Sequence, residues 1–353
     1  MLDIIKELDE WISNGEEIAL ATVVSTWGSA PRPVGSRLAA TRSGRFAGSV
    51  SGGCVEGAVI EASQEVLAAG NPQLLTFGVA DEQAWEVGLA CGGTIQVFIE
   101  PFTALAPLYT QLKELLDIRK PAVLINLLAG PAELLNRKLL FSNTSSILGD
   151  LEIPAEQSQL LSLARDHLRQ GDSAIHQMGD DTSLFIESFL PQPRLIIIGA
   201  VHLTQALLPM AQAAGFDTVV IDPRGTFAAA ERFKQAGELI KAWPQETLPE
   251  LNLNKYDYVV VLSHDPKLDD PALKISLRSN ARYIGALGSR KTHKDRLKRL
   301  KEAGLPNELL ARIHAPIGLP LGGRSTGEVA VSIIAEILLC KNDVEFHISN
   351  IST

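Results

Sequence analysis

Arg194-Leu195-Ile196-Ile197-Ile198-Gly199-Ala200-Val201-His202-Leu203 is the stretch on which the fold turns. Its unbroken apolar run reads as a strand buried on both faces, and Gly199 allows the tight turn into a helix that runs to Gly215. Outward from it the same alternation continues. Thr218 to Ile221 ends on Asp222, and Glu238 to Lys241 is a short strand. Tyr258 to Leu262, Arg282 to Leu287 and Ile313 to Ala315 follow, with helical stretches between them. Strands of this composition alternating with helices predict an α/β, Rossmann-like doubly wound parallel sheet over residues 191–345, with 346–353 as a tail.

The turn at Gly199, followed by Asp222 at the end of the second strand, is similar to a dinucleotide-binding fingerprint. The helix N-terminus faces a phosphate, and the carboxylate would bond a ribose diol. Val201 stands where a second glycine lets the backbone approach a pyrophosphate, and Thr204 stands at the third site. NAD(P) is weakened as a ligand by that departure, and a structural Asp222–Arg224 pair is the alternative. Gly288-Ser289-Arg290-Lys291 places a glycine, a hydroxyl and two cations before a helix, so Arg290 joins the candidates. The run Arg290 to Arg299 has helical spacing and reads as a solvated face. Ser325 and Glu328 have capping-box spacing for a helix over 327–340.

Pro191-Gln192-Pro193 reads as a linker, and residues 1–190 as an α+β domain with a mixed or antiparallel sheet. A helix is expected over 3–14 and a strand over 18–24. The Gly- and Pro-rich loop from Trp27 to Arg37 then offers Arg32 and Arg37 as anion donors. Arg37 to Thr41 and Arg45 to Val50 form a hairpin; residues 103–118 read as a helix, Ala122 to Leu128 as a strand, and 131–190 as a weakly signalled mixture whose clearest parts are a helix over 155–170 and a strand from Ser183 to Ser188. Ser49-Val50-Ser51-Gly52-Gly53-Cys54-Val55-Glu56 then runs from strand to helix. Gly52 and Gly53 leave room in front of Cys54, which lies at a helix N-terminus that favours thiolate. An exposed nucleophile or metal ligand and a small buried hydrophobe are both open readings of Cys54. Cys91, in Ala90-Cys91-Gly92-Gly93, mirrors it at the foot of a strand.

With 353 residues and a formal net charge of −9, the chain suits two domains and no phosphate-backbone partner. No stretch approaches the ~18 apolar residues of a membrane span. The acidic amphipathic start is unlike a signal peptide, and three spaced cysteines suit a reducing cytoplasm. No closely spaced metal-ligand set, Walker loop or Gly-x-Ser-x-Gly elbow is present.

Taken together, these segments resemble the XdhC/CoxI family, accessory proteins of molybdenum hydroxylases such as xanthine dehydrogenase. The resemblance rests on Thr22-Val23-Val24 with Gly28-Ser29-Ala30-Pro31-Arg32, on Gly48 to Glu56, and on Cys91-Gly92-Gly93 with Ile99-Glu100-Pro101. Gly285 to Arg290 and His314 to Leu319 complete it, while 104–190 contribute little. It implies a maturation factor that binds the molybdenum cofactor (molybdopterin) and supports replacement of an oxo ligand by sulfur. The cofactor then passes to the apo-hydroxylase. Binding and transfer, rather than turnover, are the expected activity. Implied partners are the hydroxylase client and a cysteine desulfurase; a homodimer is the base-rate expectation. The family pattern at the Rossmann turn is Gly-Ala-Gly-His, so Gly199 and His202 match it and Val201 departs. Gly52, Gly53, Cys54, Cys91, Gly199, His202, Asp222 and Arg290 are the implied cofactor contacts, with Cys54 as the metal ligand.

Overall fold

The computed structural model describes residues 4–78, 93–142, 147–153, 157–179 and 181–344. Cys91 lies outside them. The chain divides into two compact units, Met1–Pro191 and Gln192–Thr353.

The first unit contains two five-stranded sheets rather than one, and every strand pair in them is antiparallel. After α1 (Ile5–Ser13), β1 (Ile18–Trp27), β2 (Arg37–Thr41) and β3 (Phe46–Gly48) are followed by α2 (Glu56–Ala69), β4 (Gln73–Phe77) and β5 (Thr94–Pro101). These strands are ordered β3-β2-β1-β5-β4. Then come α3 (Ala106–Asp117), β6 (Ala122–Ala129), β7 (Lys138–Ser142), β8 (Ile147–Gly149), α4 (Gln157–Gln170), β9 (Ala174–Met178) and β10 (Thr182–Phe189). The second order is β8-β7-β6-β10-β9.

Inner-face residues of both sheets meet in shared clusters, including Val24 and Phe98 against Leu128 and Phe185. The outer face of the first sheet packs on α2 through Val59 and Val66, and that of the second on α4 through Leu160 and Leu168. Sandwiches of this kind bury both faces of each sheet, which explains the fully buried pattern of β2 and β7. Two buried ion pairs also join the sheets: Arg37 of β2 with Glu187 of β10, and Lys138 of β7 with Glu100 of β5. Lys138 Nζ lies 2.6 Å from both Glu100 Oε2 and Asn126 Oδ1, so the buried charge is paired and solvated by the chain itself.

The second unit is the expected parallel sheet. Its elements are β11 (Arg194–Ile198), α5 (His202–Ala213), β12 (Asp217–Ile221), β13 (Glu238–Ile240), α6 (Pro244–Glu250), β14 (Asp257–Val261), α7 (Pro266–Arg278), β15 (Tyr283–Ala286), α8 (Arg290–Glu302), α9 (Asn307–Leu310), β16 (Ile313–His314) and α10 (Thr326–Lys341). Strand order β13-β12-β11-β14-β15-β16 places the reversal of direction between β11 and β14. Apolar clusters lie on both faces, one under α5 and α10 and the other under α7 and α8. Ser325 and Glu328 form the capping box expected for α10. No helix among the described residues is long and apolar enough to cross a membrane.

Candidate functional sites

The antiparallel registers gather the first unit's glycine-rich segments at one end of its first sheet. Trp27, the last residue of β1, pairs with Thr94 at the start of β5, while Thr22 pairs with Arg37 and Leu38 with Gly48. Cys54 sits at that end, exposed, two residues ahead of α2. Gly52 and Gly53 before it have φ of 78° and 121°, backbone that a side chain disfavours.

Glu56, passed over as a candidate in the sequence, holds this turn together. Its Oε1 accepts from Ser49 Oγ at 2.6 Å, Val50 N at 3.2 Å and Ser51 N at 2.9 Å. Its Oε2 accepts from Ser51 Oγ at 2.5 Å and Gly53 N at 2.8 Å. Burial alone would raise this carboxyl, but the Ser49 and Ser51 hydroxyls and the backbone donors outweigh it and hold the pKa at about 2. Two further donors have internal partners: Gly52 N gives to Ser49 Oγ and Val55 N to Ser51 Oγ. Five N–H groups between Val50 and Val55 are thus bonded to the turn's own side chains, and Cys54 is exposed beside them. The sequence signal was available, since a carboxylate three residues after a turn N–H is half of a capping box. Among the described residues no group of three or more His, Cys, Asp or Glu could hold a metal, so any metal at Cys54 must arrive with other ligands.

Arg37 is corrected. It is the first residue of β2, only 2% exposed, and donates to Glu187 rather than waiting on the loop for an anion.

In the second unit Gly199 directly follows β11 with φ of 111°, and a side chain there would come within 2.9 Å of Ser263 N beyond β14. Both the dihedral and the close approach require glycine at this switch point. Val201 is the N-cap of α5 and provides no side-chain cap, leaving the first N–H groups and the positive end of the helix open. His202, the first residue of α5, is exposed, with Nδ1 3.4 Å from Gln205 Oε1.

Asp222 is fully buried. Oδ2 accepts from Ala200 N at 2.8 Å and Arg224 Nη2 at 2.7 Å, and Oδ1 from Arg224 N and Nε at 2.9 Å each. Burial works against ionisation, but Arg224 and these N–H groups prevail and lower the pKa. This carboxylate ties the Gly199 turn to the end of β12, an arrangement in which its oxygens face the chain's own donors. Arg290 is the exposed first residue of α8, whose N-cap is Ser289.

The basic run is not uniformly solvated. Arg296 is 1% exposed, with Nη2 2.8 Å from Leu287 O and 3.4 Å from Asp269 Oδ2. It shares the inward face of α8 with Leu300, four positions on. Asp269 in turn accepts from Ser263 Oγ at 2.5 Å, and burial pushes its pKa up against that bond and Arg296. Ser263, Asp269 and Arg296 therefore form a buried network under the switch point that composition alone does not reveal.

Residues 195–337 match the family described as XdhC Rossmann domain, and residues 11–78 match the one described as XdhC and CoxI family. A Bacillus subtilis protein, named as a probable component of xanthine dehydrogenase, is 29% identical over 96% of this chain and 97% of its own length. The Escherichia coli molybdenum cofactor insertion chaperone PaoD is 27% identical over 93% of this chain and 85% of its own. A crystal structure described as a xanthine dehydrogenase from Bacillus halodurans has the same fold. Its TM-score is 0.74 at 24% identity, over 99% of this chain and 98% of that one. Motifs, fold and relatives agree, and the chain belongs to the XdhC and CoxI family.

Proposed function

We propose that this protein is a cytoplasmic chaperone of the molybdenum cofactor. It binds the finished cofactor, supports exchange of an oxo ligand for sulfur supplied by a partner cysteine desulfurase, and delivers the product to a molybdenum hydroxylase such as xanthine dehydrogenase. The observation that carries the reading is the exposed Cys54 thiol on a turn whose Val50, Ser51 and Gly53 N–H groups are taken by Glu56. A braced, anion-filled turn presenting a soft sulfur suits contact with a soft metal or a transferable sulfur atom better than phosphate binding. The name of the Escherichia coli relative supports the same cargo. A phosphate is instead suited to the uncapped start of α5.

Co-expression in a host that makes the cofactor tests this directly. Wild-type protein should co-purify with molybdenum and pterin, and Cys54→Ala should lose most of the molybdenum while keeping its fold. Wild type without either component, or a Cys54→Ala variant retaining all of it, refutes the role.

A further inference from the structure

His167 and His176 are nine positions apart in the chain, yet the fold turns their rings toward each other. His167 lies near the end of α4 and is only 5% exposed, while His176 is half-buried on β9, an edge strand of the second sheet. Their Nε2 atoms are 2.7 Å apart, with ring centres 4.8 Å apart and ring planes at 81°. Behind His167, Nδ1 is 2.8 Å from Asp172 Oδ1 and 3.2 Å from Asp172 O. Both of those oxygens accept, so neutral His167 carries its proton on Nδ1 and keeps a lone pair on Nε2. His176 Nε2 then donates into that lone pair, and one proton holds the helix to the edge strand.

Two imidazole nitrogens converging on one point, one of them oriented by a carboxylate, are a donor set for a borderline metal ion. We infer that the pair is a binding site for zinc, which takes the place of the shared proton and bridges α4 to β9. Zinc–imidazole bonds of about 2.0–2.1 Å at a tetrahedral angle set the two nitrogens about 3.3–3.4 Å apart, so the rings part by less than about 1 Å. β9 pairs on one side only, with β10, which leaves His176 free to make that shift. The His176 proton leaves Nε2 for solvent and another settles on Nδ1, so the neutral ring releases no net proton. Asp172 stays on His167 Nδ1, where it fixes the ring and raises the basicity of Nε2. No third His, Cys, Asp or Glu completes the set among the described residues, so water fills the other positions from the exposed side of His176. The site uses none of the groups assigned to the molybdenum cofactor and stands independently of the proposed function.

Calorimetric titration of the metal-stripped full-length protein with zinc chloride reads the site. Wild type should take up one zinc per chain more than His176→Gln, whose amide lacks the imidazole lone pair. Asp172→Asn should bind that zinc at least about ten-fold more weakly. The exposed Cys54 thiol can also take zinc, so the titration is repeated in Cys54→Ala, where the extra equivalent should persist. Long-range proton–nitrogen NMR of the imidazoles gives a reading that needs no variant: at saturating zinc, His176 should pass from the Nε2–H to the Nδ1–H tautomer. Equal zinc uptake by wild type and His176→Gln, undiminished affinity in Asp172→Asn, or loss of the extra equivalent in Cys54→Ala overturns the inference. So does a His176 that keeps its Nε2 proton at saturation.

Discussion

The glycine turns at Gly52-Gly53 and at Gly199 both lead into helices, and each is tied down by one carboxylate. At Gly52-Gly53, Glu56 accepts three backbone N–H groups and two serine hydroxyls and has no cation among those partners. At Gly199, Asp222 accepts one N–H from the turn and is otherwise matched to Arg224. The first turn thereby carries a carboxylate of its own and exposes a thiol. The second is neutralised at its anchor and leaves the positive end of α5 uncapped. Similar letters produce different surroundings because the carboxylate is spent differently.

The sharpest way to break the comparison is to remove the second anchor. Asp222→Ala leaves Arg224 without its partner and the Ala200 N–H buried without an acceptor, and should destabilise the protein by about 3 kcal/mol. Urea unfolding of the second unit's transition measures it; a loss below about 1 kcal/mol would mean the carboxylate is not the tether. The glycines themselves separate next. Gly199→Ala meets both an unfavourable φ and Ser263, and should cost about 2–3 kcal/mol. Gly53→Ala meets only the dihedral, since nothing lies within 4 Å of the added carbon, and should cost about 1 kcal/mol. Equal losses in thermal or urea unfolding would show that close approach at the switch point does not matter.

The parallel sheet was legible because burial on both faces forces continuous apolar runs such as Leu195 to Ile198, with the turn glycine directly after them. Of the second antiparallel sheet only β6 and β10 were, at Ala122 to Leu128 and Ser183 to Ser188. Its strand β8 is exposed throughout and β9 is mostly half-buried, so neither gives a clean alternation. Buried charges were the other blind spot. Arg37, Lys138 and Arg296 look like surface residues by type, and only partners far along the chain make their burial tolerable. Glu187 is 150 positions from Arg37, and Asp269 is 27 from Arg296. Asp222 was half legible: its place at a strand end and the nearby Arg224 were visible. Its bond to Ala200 N needed the fold.

Acid titration tests the anchor of the first turn. Glu56 has its pKa lowered from 4.5 to about 2 in the folded protein. A depressed carboxylate contributes stability that is fully present above its unfolded pKa and is lost as pH falls through the folded value. The loss therefore runs from about pH 5 down to about pH 2. Partial exposure of the group discounts its size to about 1–2 kcal/mol. Glu56→Gln removes the titrating group while keeping an acceptor for part of the turn, so its stability should be lower than wild type at pH 7 and converge with it toward pH 2. Chemical denaturation of both proteins across that range reads the difference. Parallel curves would mean that the Ser49–Glu56 turn is held by its glycine and serine backbone alone, and the contrast with the Asp222 anchor would then lie in one turn only.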